Sequence, residues 1–206
     1  MSELKQLYAE IARCQKCEIA KLRTNTVPGE GAENAEILFI GEAPGFHEDQ
    51  QGRPFVGAAG QFLTQLLASI NLKREQVYIA NVIKCRPPGN RDPLPTEITN
   101  CRNWLDQQIA MISPKMIVTL GRYSMAMFFP GKTISKIHGT AQTQNGVIHF
   151  AMYHPAAALH QVALRKELEA DIKKIPGILA QYKAPTNPPT PPPPEPEQRQ
   201  LSMFEV

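Results

Sequence analysis

The 206-residue sequence has no apolar run long enough to cross a membrane. Its first residues, MSELKQLYAEIARC, mix charged and apolar side chains, which is typical of an amphipathic helix and not of a signal peptide. A strong charge of one sign is also missing, because 22 basic residues are set against 19 acidic ones, for a net charge of +3. This excess is compatible with nucleic-acid binding but does not by itself indicate it. We therefore expect a cytoplasmic protein.

Cysteine is scarce, with four residues in two pairs and none left over. In a reducing cytoplasm such residues are more often ligands or core residues than disulfides. Cys14 and Cys17 have the Cys-x-x-Cys spacing that lets two thiolates reach one metal centre, and Cys85 and Cys101 bracket a proline-rich loop. Together they predict a closed, structural four-thiolate site that suits either zinc or a four-iron four-sulfur cluster. Four buried structural cysteines are the alternative.

Apolar periodicity predicts strands that alternate with helices. Short continuous apolar runs mark buried strands, and apolar residues at helical spacing mark helices that pack on them. This alternation indicates an α/β domain with a largely parallel sheet. The predicted strands cover residues 37–40, 77–83, 116–120 and 147–153, and the predicted helices cover residues 3–13, 58–70, 122–129 and 162–182, the last interrupted at Pro176-Gly177, with one more helix beginning near Thr96.

Three of these strands lead into residues suited to binding a ligand. The first runs into the turn at residues 41–45, the second contains Asn81 within an apolar run, and the fourth stops at His154. The carboxyl ends of parallel strands are where open α/β sheets bind ligands. Glycines also occur in ordinary turns, and a buried Asn or a lone His is often only structural. Taken singly, these residues leave both interpretations open.

The composition changes after Lys183. Residues 184–199 are rich in proline and lack the apolar residues needed for a core, so we predict an extended, disordered linker. An apolar cluster follows, made by Gln200, Leu201, Met203 and Phe204. The sequence therefore predicts one folded domain over residues 1–183, a linker, and a short terminal peptide over residues 200–206.

Four separated motifs occur in a definite order along the chain. They are GEAPG at residues 41–45, GRPFVG at 52–57, NVIKCRPP at 81–88 and HPAAAL at 154–159. Together with the cysteines, they resemble the family 4 uracil-DNA glycosylases, the iron–sulfur branch of that superfamily, over residues 3–182. The resemblance implies a three-layer α/β/α fold with a central, mainly parallel four-stranded sheet. It also implies a structural 4Fe-4S cluster on the four cysteines, with zinc as the alternative.

The resemblance implies a monomeric, nucleoid-associated enzyme that flips uracil out of single- or double-stranded DNA. Such an enzyme hydrolyses the N-glycosidic bond and leaves an abasic site without cutting the strand, in base excision repair of deaminated cytosine. Phe55 would be the platform on which the base stacks, and Asn81 would read O4 and N3–H of uracil. His154 would donate to O2 of the departing base. The adjoining turn would contribute Gly41 and the backbone amides of Glu42 and Ala43.

The resemblance also assigns roles to two carboxylates. The better-known branch of the superfamily carries an aspartate where this sequence has Ala43. Glu42 is therefore the candidate for holding the attacking water, which would make it catalytic together with Asn81 and His154. Glu48 is the candidate for excluding thymine by crowding the 5-position of uracil.

Contacts with DNA are expected around the same site. Lys84, Arg86 and Arg91 would face DNA phosphates, unless they are merely solvated loop charges. Leu159, at the end of residues 156–159, would belong to a wedge that fills the space left by the flipped base.

Two alternative functions and one additional partner also follow from these features of the sequence. A non-enzymatic iron–sulfur or zinc DNA-binding module would carry the same cysteines and basic loop. Some relatives use a histidine after the third strand to become covalently trapped on uracil DNA, and His138 lies in that region. The terminal peptide resembles the Gln-Leu-x-Leu-Phe type by which bacterial repair proteins dock on the sliding clamp, with Met203 in place of the usual Leu.

Overall fold

The structure, a computed structural model, describes residues 2–182. Within this range strands and helices largely alternate, as expected for an α/β domain. The strands are β1 (Glu30–Gly31), β2 (Ile37–Gly41), β3 (Tyr78–Asn81), β4 (Met116–Leu120), β5 (Ala141–Gln144) and β6 (Val147–Met152). The helices are α1 (Glu3–Ala12), α2 (Phe46–Gln51), α3 (Ala58–Ala68), α4 (Pro95–Ile112), α5 (Arg122–Phe128), α6 (Ile134–Ile137), α7 (Pro155–Ala158), α8 (Val162–Ile172) and α9 (Ile175–Ala180).

The six strands form one sheet in the order β1-β3-β2-β4-β6-β5. The central strands β3, β2, β4 and β6 run parallel, and β1 and β5 pair antiparallel at the two edges. The chain moves from β2 to β3 on one side and then returns to β4 on the other. The carboxyl end of β2 therefore lies at the switch point of the sheet, where open α/β sheets bind ligands.

Helices cover both faces of the sheet, which confirms the predicted three-layer α/β/α fold. On one face α3, α8 and α9 pack on the strands through side chains such as Leu66, Leu168 and Ile175. On the other face α1 and α4 pack through Leu7 and Leu105. Both faces of the central strands are buried, which explains why the sequences of these strands are mostly apolar and do not alternate between apolar and polar residues.

The four predicted strands are confirmed as the parallel strands, but the sheet has two further edge strands. β1 has only two residues, and β5 is exposed along its whole length, so neither has the apolar pattern that predicts a strand. A signal for β5 was nevertheless present, because Asn145 and Gly146, both at positive φ, join β5 to β6. Asn-Gly is the preferred two-residue turn of a β-hairpin.

The last helical segment is divided, as predicted, but the break falls before Pro176. Helix α8 ends at Ile172 and α9 begins at Ile175. Pro176 lies in the first turn of α9, where its missing N–H has no partner to lose. Proline here begins a helix and does not interrupt one.

Among residues 2–182, no helix has both the length and the apolar character required to cross a membrane. The predicted linker at residues 184–199 and the terminal peptide at residues 200–206 lie outside the described residues, as does the boundary at Lys183.

Candidate active site

A cavity of about 450 Å³ opens at the carboxyl ends of the parallel strands. Small-molecule sites typically enclose about 300–1,000 Å³, so the cavity is large enough for a nucleobase. It brings together residues from four strand ends and two loops that are far apart in the sequence. The predicted site residues in its lining are Glu42, Ala43, Glu48, Phe55, Asn81, Arg91 and His154.

Phe55 forms a wall of this cavity and is held there by its backbone. Its φ is 52°, in the left-handed region that residues other than glycine rarely adopt. The Arg74 guanidinium donates hydrogen bonds to the main-chain oxygens of Pro54 (2.7 Å) and Phe55 (3.0 Å), which stabilises this conformation. The Phe55 ring lies 5.5 Å from the His154 ring, with 27° between their planes. The two rings therefore present flat surfaces suited to a planar ligand.

Asn81 supplies a hydrogen-bonding group that is buried and unsatisfied. Its side-chain Oδ1 has no hydrogen-bond partner among residues 2–182, and the residue is 2% exposed. A buried acceptor without a partner costs free energy, and it is uncommon in folded proteins. Because Asn81 lines the cavity, a ligand N–H can satisfy this oxygen. The core-amide interpretation of Asn81 would have required a protein partner, and the structure provides none within this range.

Gly41 makes room for this arrangement at the end of β2. It is paired with Asn81 in the parallel ladder. A Cβ at position 41 would lie 2.6 Å from Cζ of Phe55 and would collide with Oδ1 of Asn81. A side chain here would displace both groups, so glycine is required for the close approach of Phe55 and Asn81.

His154 follows β6 and caps the short helix α7. Its Nδ1 accepts a hydrogen bond from the Ala156 N–H at 3.1 Å. The proton of the neutral ring is therefore on Nε2, which remains available as a donor. Burial lowers the pKa of His154 to about 4, although the negative charge of Glu48 opposes the shift. At neutral pH the cavity thus contains a neutral imidazole donor.

Glu42 lies directly after β2 and has a strongly shifted pKa. Burial raises the pKa of Glu42 to about 7; Arg122 lowers it in part, and Asp92 adds to the increase. Gly121, at φ 94°, leaves space between the Glu42 carboxylate and Cβ of His154. A carboxyl group that titrates near neutral pH inside a cavity is suited to proton transfer.

Glu48 is held by main-chain hydrogen bonds. Its Oε1 accepts from the N–H groups of Val56 and Gly57, both at 2.9 Å, and its Oε2 accepts from Gly45 N–H at 3.2 Å. These bonds fix the loop that carries Phe55 relative to α2. Glu48 also lines the cavity, so its predicted role against the 5-position of uracil stays a prediction.

Two charged residues of the cavity were not predicted from the sequence. Arg122 and Asp92 form an ion pair, and both line the cavity beside Glu42. Arg122 is the second residue after β4, whose carboxyl end meets those of β2, β3 and β6. The predicted strand at residues 116–120 therefore contained a signal for Arg122. The sequence contained no such signal for Asp92, because Asp92 lies in a loop without a regular element that would set its position.

The predicted DNA contact of Lys84 is wrong. Lys84 is 1% exposed, and its Nζ donates to the main-chain oxygen of Asn81 at 2.8 Å and to Oε1 of Gln108 at 2.6 Å. The sequence placed it in a proline-rich loop, but the chain turns inward after Asn81 and buries the ammonium group. It cannot reach a phosphate from this position.

The other two loop arginines remain near the surface. Arg86 donates to Oδ1 of Asn90 at 2.6 Å, and its guanidinium lies 5.1 Å from the exposed ring of Phe46. Arg91 forms a two-pronged ion pair with the buried carboxylate of Glu97, at 2.9 and 2.6 Å. Arg86 is therefore the better placed of the two to meet a phosphate, because Arg91 is engaged in holding the loop against α4.

Leu159 and His138 have different relations to the cavity. Leu159 is 46% exposed and follows α7, which begins immediately after His154. This position is consistent with the predicted wedge. His138 does not line the cavity; its Nδ1 lies 2.8 Å from the buried carboxylate of Asp171, and its ring contacts Tyr153 with 4.6 Å between centroids.

The four cysteines line a second cavity, between the end of α1, the loop after β3 and α4. None of the four forms a disulfide within residues 2–182. Three of the sulfurs accept N–H hydrogen bonds: Cys85 from Arg23 Nη1 (3.3 Å), Cys101 from Lys84 N–H (3.2 Å) and Cys14 from Trp104 Nε1 (3.4 Å). Across residues 2–182, no three His, Cys, Asp or Glu side chains are grouped in a way that would hold a single metal ion.

Comparison with known proteins gives an independent result. Residues 28–174 match the family model of the Uracil DNA glycosylase superfamily. The chain is 51% identical over 185 residues to the Type-4 uracil-DNA glycosylase of Sulfurisphaera tokodaii, covering 85% of this chain and 84% of the relative. It is 49% identical over 195 residues to that of Archaeoglobus fulgidus (90% and 98%) and 42% identical over 178 residues to that of Thermotoga maritima (84% and 93%).

Proposed function

This chain belongs to the uracil-DNA glycosylase superfamily, and on that premise we propose that it hydrolyses the N-glycosidic bond of deoxyuridine in DNA. The observation that carries the proposal is the buried, unpartnered Oδ1 of Asn81 in a cavity that also contains Phe55 and His154. An acceptor, a flat apolar wall and a neutral donor together match the face and edges of a pyrimidine. The activity would begin repair of deaminated cytosine, as the first step of base excision repair.

Recognition follows from the groups in the cavity. Uracil must leave the DNA stack before it can enter, at a cost of a few kcal/mol. Stacking on Phe55 would offset this cost by about 1–3 kcal/mol. The Asn81 Oδ1 would accept from N3–H of uracil, and its Nδ2 would donate to O4. Cytosine has an acceptor at N3 and a donor at N4, so the same amide orientation would repel it.

His154 would stabilise the leaving base. Cleavage breaks the bond between C1′ and N1, and the bonding electrons remain on the uracil ring as negative charge that extends to O2. The neutral His154 would donate its Nε2–H to that oxygen, and the backbone amides of Glu42 and Ala43 would assist. A water adds to the electron-poor C1′ and loses a proton. The products are free uracil and an abasic site on an intact strand.

Glu42 would orient that water and accept its proton, and this role predicts a specific pH dependence. With a pKa of about 7, Glu42 is mostly protonated below that pH and ionised above it. The single-turnover rate should therefore rise as the pH increases through about 7, and Glu42→Gln should remove this rise and lower the rate about 10²-fold or more. Glu33→Gln, at an exposed position, is the control. An unchanged rate and profile in Glu42→Gln would contradict the role.

Cleavage of a labelled oligonucleotide tests the function directly. A strand with a single uracil, treated with the protein and then with alkali, should break at that position, whereas matched strands with cytosine or thymine should stay intact. Without alkali the uracil strand should remain whole, because the proposed enzyme has no lyase step. A non-enzymatic DNA-binding module would retain the oligonucleotide in a binding assay but leave the alkali-treated strand uncut.

Arg86 is expected to contact a DNA phosphate, and Leu159 to fill the space left by the flipped base. Replacing Arg86 with Gln should reduce the slope of log affinity against log salt by about 1, because one fewer counterion is released. Arg102→Gln is the matched control, since Arg102 pairs with Asp106 on the exposed side of α4 and does not line the cavity. Equal slopes for wild type and Arg86→Gln would argue against the contact.

The four cysteines fit a 4Fe-4S cluster, which would be structural because every iron would have a protein thiolate. The N–H hydrogen bonds to three sulfurs support a thiolate site. A four-iron cluster needs one thiolate per iron, so the sulfurs do not have to converge on one point as zinc requires. Brown colour with iron and acid-labile sulfide in purified protein would support the cluster; stoichiometric zinc without iron would contradict it.

We propose turnover and not covalent trapping on DNA. His138 is held by Asp171 and lies outside the lining of the cavity. Wild-type protein incubated with uracil DNA should give no adduct that survives SDS. An adduct that disappears in His138→Ala would establish trapping instead.

The terminal peptide is proposed as a docking site for the bacterial sliding clamp, on the basis of its sequence. Binding through the proline-rich segment would raise the local concentration of the enzyme at replicated DNA. Pull-down by the clamp should be lost in Phe204→Ala, while cleavage of short oligonucleotides stays unchanged. Retention of full clamp binding by Phe204→Ala would refute the assignment.

A further inference from the structure

We infer that Lys84 is a positioning residue that holds Asn81 in the orientation needed to read uracil, and that it connects Asn81 to the cysteine site. The inference rests on the proposed function, because it assigns Lys84 a part in base recognition. Two contacts carry it: the Lys84 side chain binds the main chain of Asn81, and the Lys84 main chain binds the sulfur of Cys101.

The first contact completes the end of β3. Asn81 is the last residue of this strand, and on the β2 side it is paired with Gly41. On the other side, β1 pairs with β3 only at Tyr78 and Ile79, so it does not extend to Asn81. The Lys84 ammonium donates to the Asn81 carbonyl oxygen at 2.8 Å. It thus takes the place of a strand donor and fixes the peptide that carries the Asn81 side chain.

The ammonium group is fully enclosed. Lys84 is 1% exposed, and Gln108 provides its second acceptor, with Oε1 at 2.6 Å from Nζ. Gln108 is itself held, because its Nε2 donates to the Pro28 main-chain oxygen at 2.7 Å and to the Tyr78 hydroxyl at 3.1 Å. Burying a cation costs free energy unless it is well paired. The pairing here leaves the ammonium little freedom, so the position of the Asn81 carbonyl is well defined.

The second contact joins this anchor to the cysteines. The Lys84 N–H donates to Cys101 Sγ at 3.2 Å, and Cys85 is the next residue in the chain. The two ends of Lys84 therefore reach both sites: its backbone contacts the thiolate set, and its side chain contacts the residue that reads the base. A displacement at the cysteines would be transmitted to Asn81 through one residue.

Lys84→Met tests the inference, with Gln108→Met as the matched control. Both variants remove a buried polar group of the same network, and both should lower the melting temperature. Only Lys84→Met removes the donor to Asn81. We therefore expect the inhibition constant for free uracil to rise about tenfold or more in Lys84→Met and by a clearly smaller factor in Gln108→Met, which keeps the donor to Asn81 but removes one of the acceptors that hold it. The brown colour and the iron content should be retained in both.

The measurements separate positioning from a purely structural role. A lower melting temperature of Lys84→Met with an unchanged uracil inhibition constant, measured well below that temperature, would overturn the inference. If Lys84→Met does not fold, Lys84→Gln is the second variant: its side chain is neutral and ends one atom short of Nζ, so it loses the charge-assisted hydrogen bond to Asn81. Uracil inhibition equal to wild type in that variant would overturn the inference equally. Failure of the wild-type protein to cleave uracil DNA would refute the proposed function. If the wild type cleaves and Lys84→Met has the same uracil inhibition constant, the proposed function stands and only the inference about Lys84 fails.

Discussion

Replacing His154 with alanine is expected to lower the single-turnover rate on uracil DNA by about 10²- to 10³-fold, the usual cost of removing one donor to a developing oxyanion. His154 Nδ1 already accepts from Ala156, so Nε2 carries the proton that the departing base needs. Because the negative charge on O2 grows toward the transition state, the loss should appear in the rate of cleavage more than in the affinity for DNA.

The pH profile provides a second measurement for His154. Burial lowers its pKa to about 4, so the ring stays neutral from about pH 5 upward. Protonation of His154 should therefore not affect the rate between pH 5 and 7, where the ionisation of Glu42 sets the slope. His160→Ala is the matched control, because His160 is exposed and follows the same helix. A decrease of less than about tenfold in His154→Ala would exclude His154 as the principal donor.

Replacing Asn81 with alanine is expected to lower kcat/KM for uracil DNA by roughly 10²- to 10⁴-fold, because two buried hydrogen bonds to the base are lost and the polar edge of uracil is left unpaired. The Oδ1 of Asn81 has no partner among residues 2–182, so its removal disrupts no hydrogen bond in that part of the chain. The melting temperature should consequently change little, apart from the effect of a small void.

Discrimination against cytosine is the sharper measurement for Asn81. In wild type the amide is expected to reject the cytosine edge, whereas alanine would neither attract uracil nor repel cytosine. The ratio of kcat/KM for uracil to that for cytosine should therefore fall in Asn81→Ala. A loss of folded protein would lower both values equally and would leave this ratio unchanged. Asn103→Ala, on the exposed surface of α4, should leave the ratio unchanged. A ratio equal to wild type in Asn81→Ala would remove Asn81 from base recognition.

The predicted fold agrees with the structure for the strands that are buried, because burial restricts their residues to mainly apolar types. The four central strands are covered on both faces, so most of their residues are apolar and the strands are visible in the sequence. The edge strands β1 and β5 are short or exposed, and their hydrogen bonds place no demand on side-chain type. Their positions depend on pairing with β3 and β6, and in the sequence only the Asn145-Gly146 turn indicates such a pairing, that of β5 with β6.

The candidate site was predictable to the extent that it follows the strand ends. Glu42, Asn81 and His154 are each at or just after the end of a parallel strand, and topology alone brings such residues to one edge. Lys84 is the instructive error. In sequence it has the same basic character as Arg86 and Arg91, but its side chain turns inward to the Asn81 carbonyl. The direction of a side chain in an irregular loop depends on acceptors contributed from elsewhere in the chain.

The sequence by itself determined the α/β alternation, the grouping of four cysteines in two pairs, and the motifs that identify the superfamily, because each depends on residue type and spacing along the chain. Only the tertiary structure decided that Asn81 Oδ1 is unpartnered within residues 2–182, that Glu42 titrates near neutral pH, and that Lys84 is an anchor and not a DNA contact. Those properties are set by burial and by partners distant in sequence, and neither exists until the chain has folded.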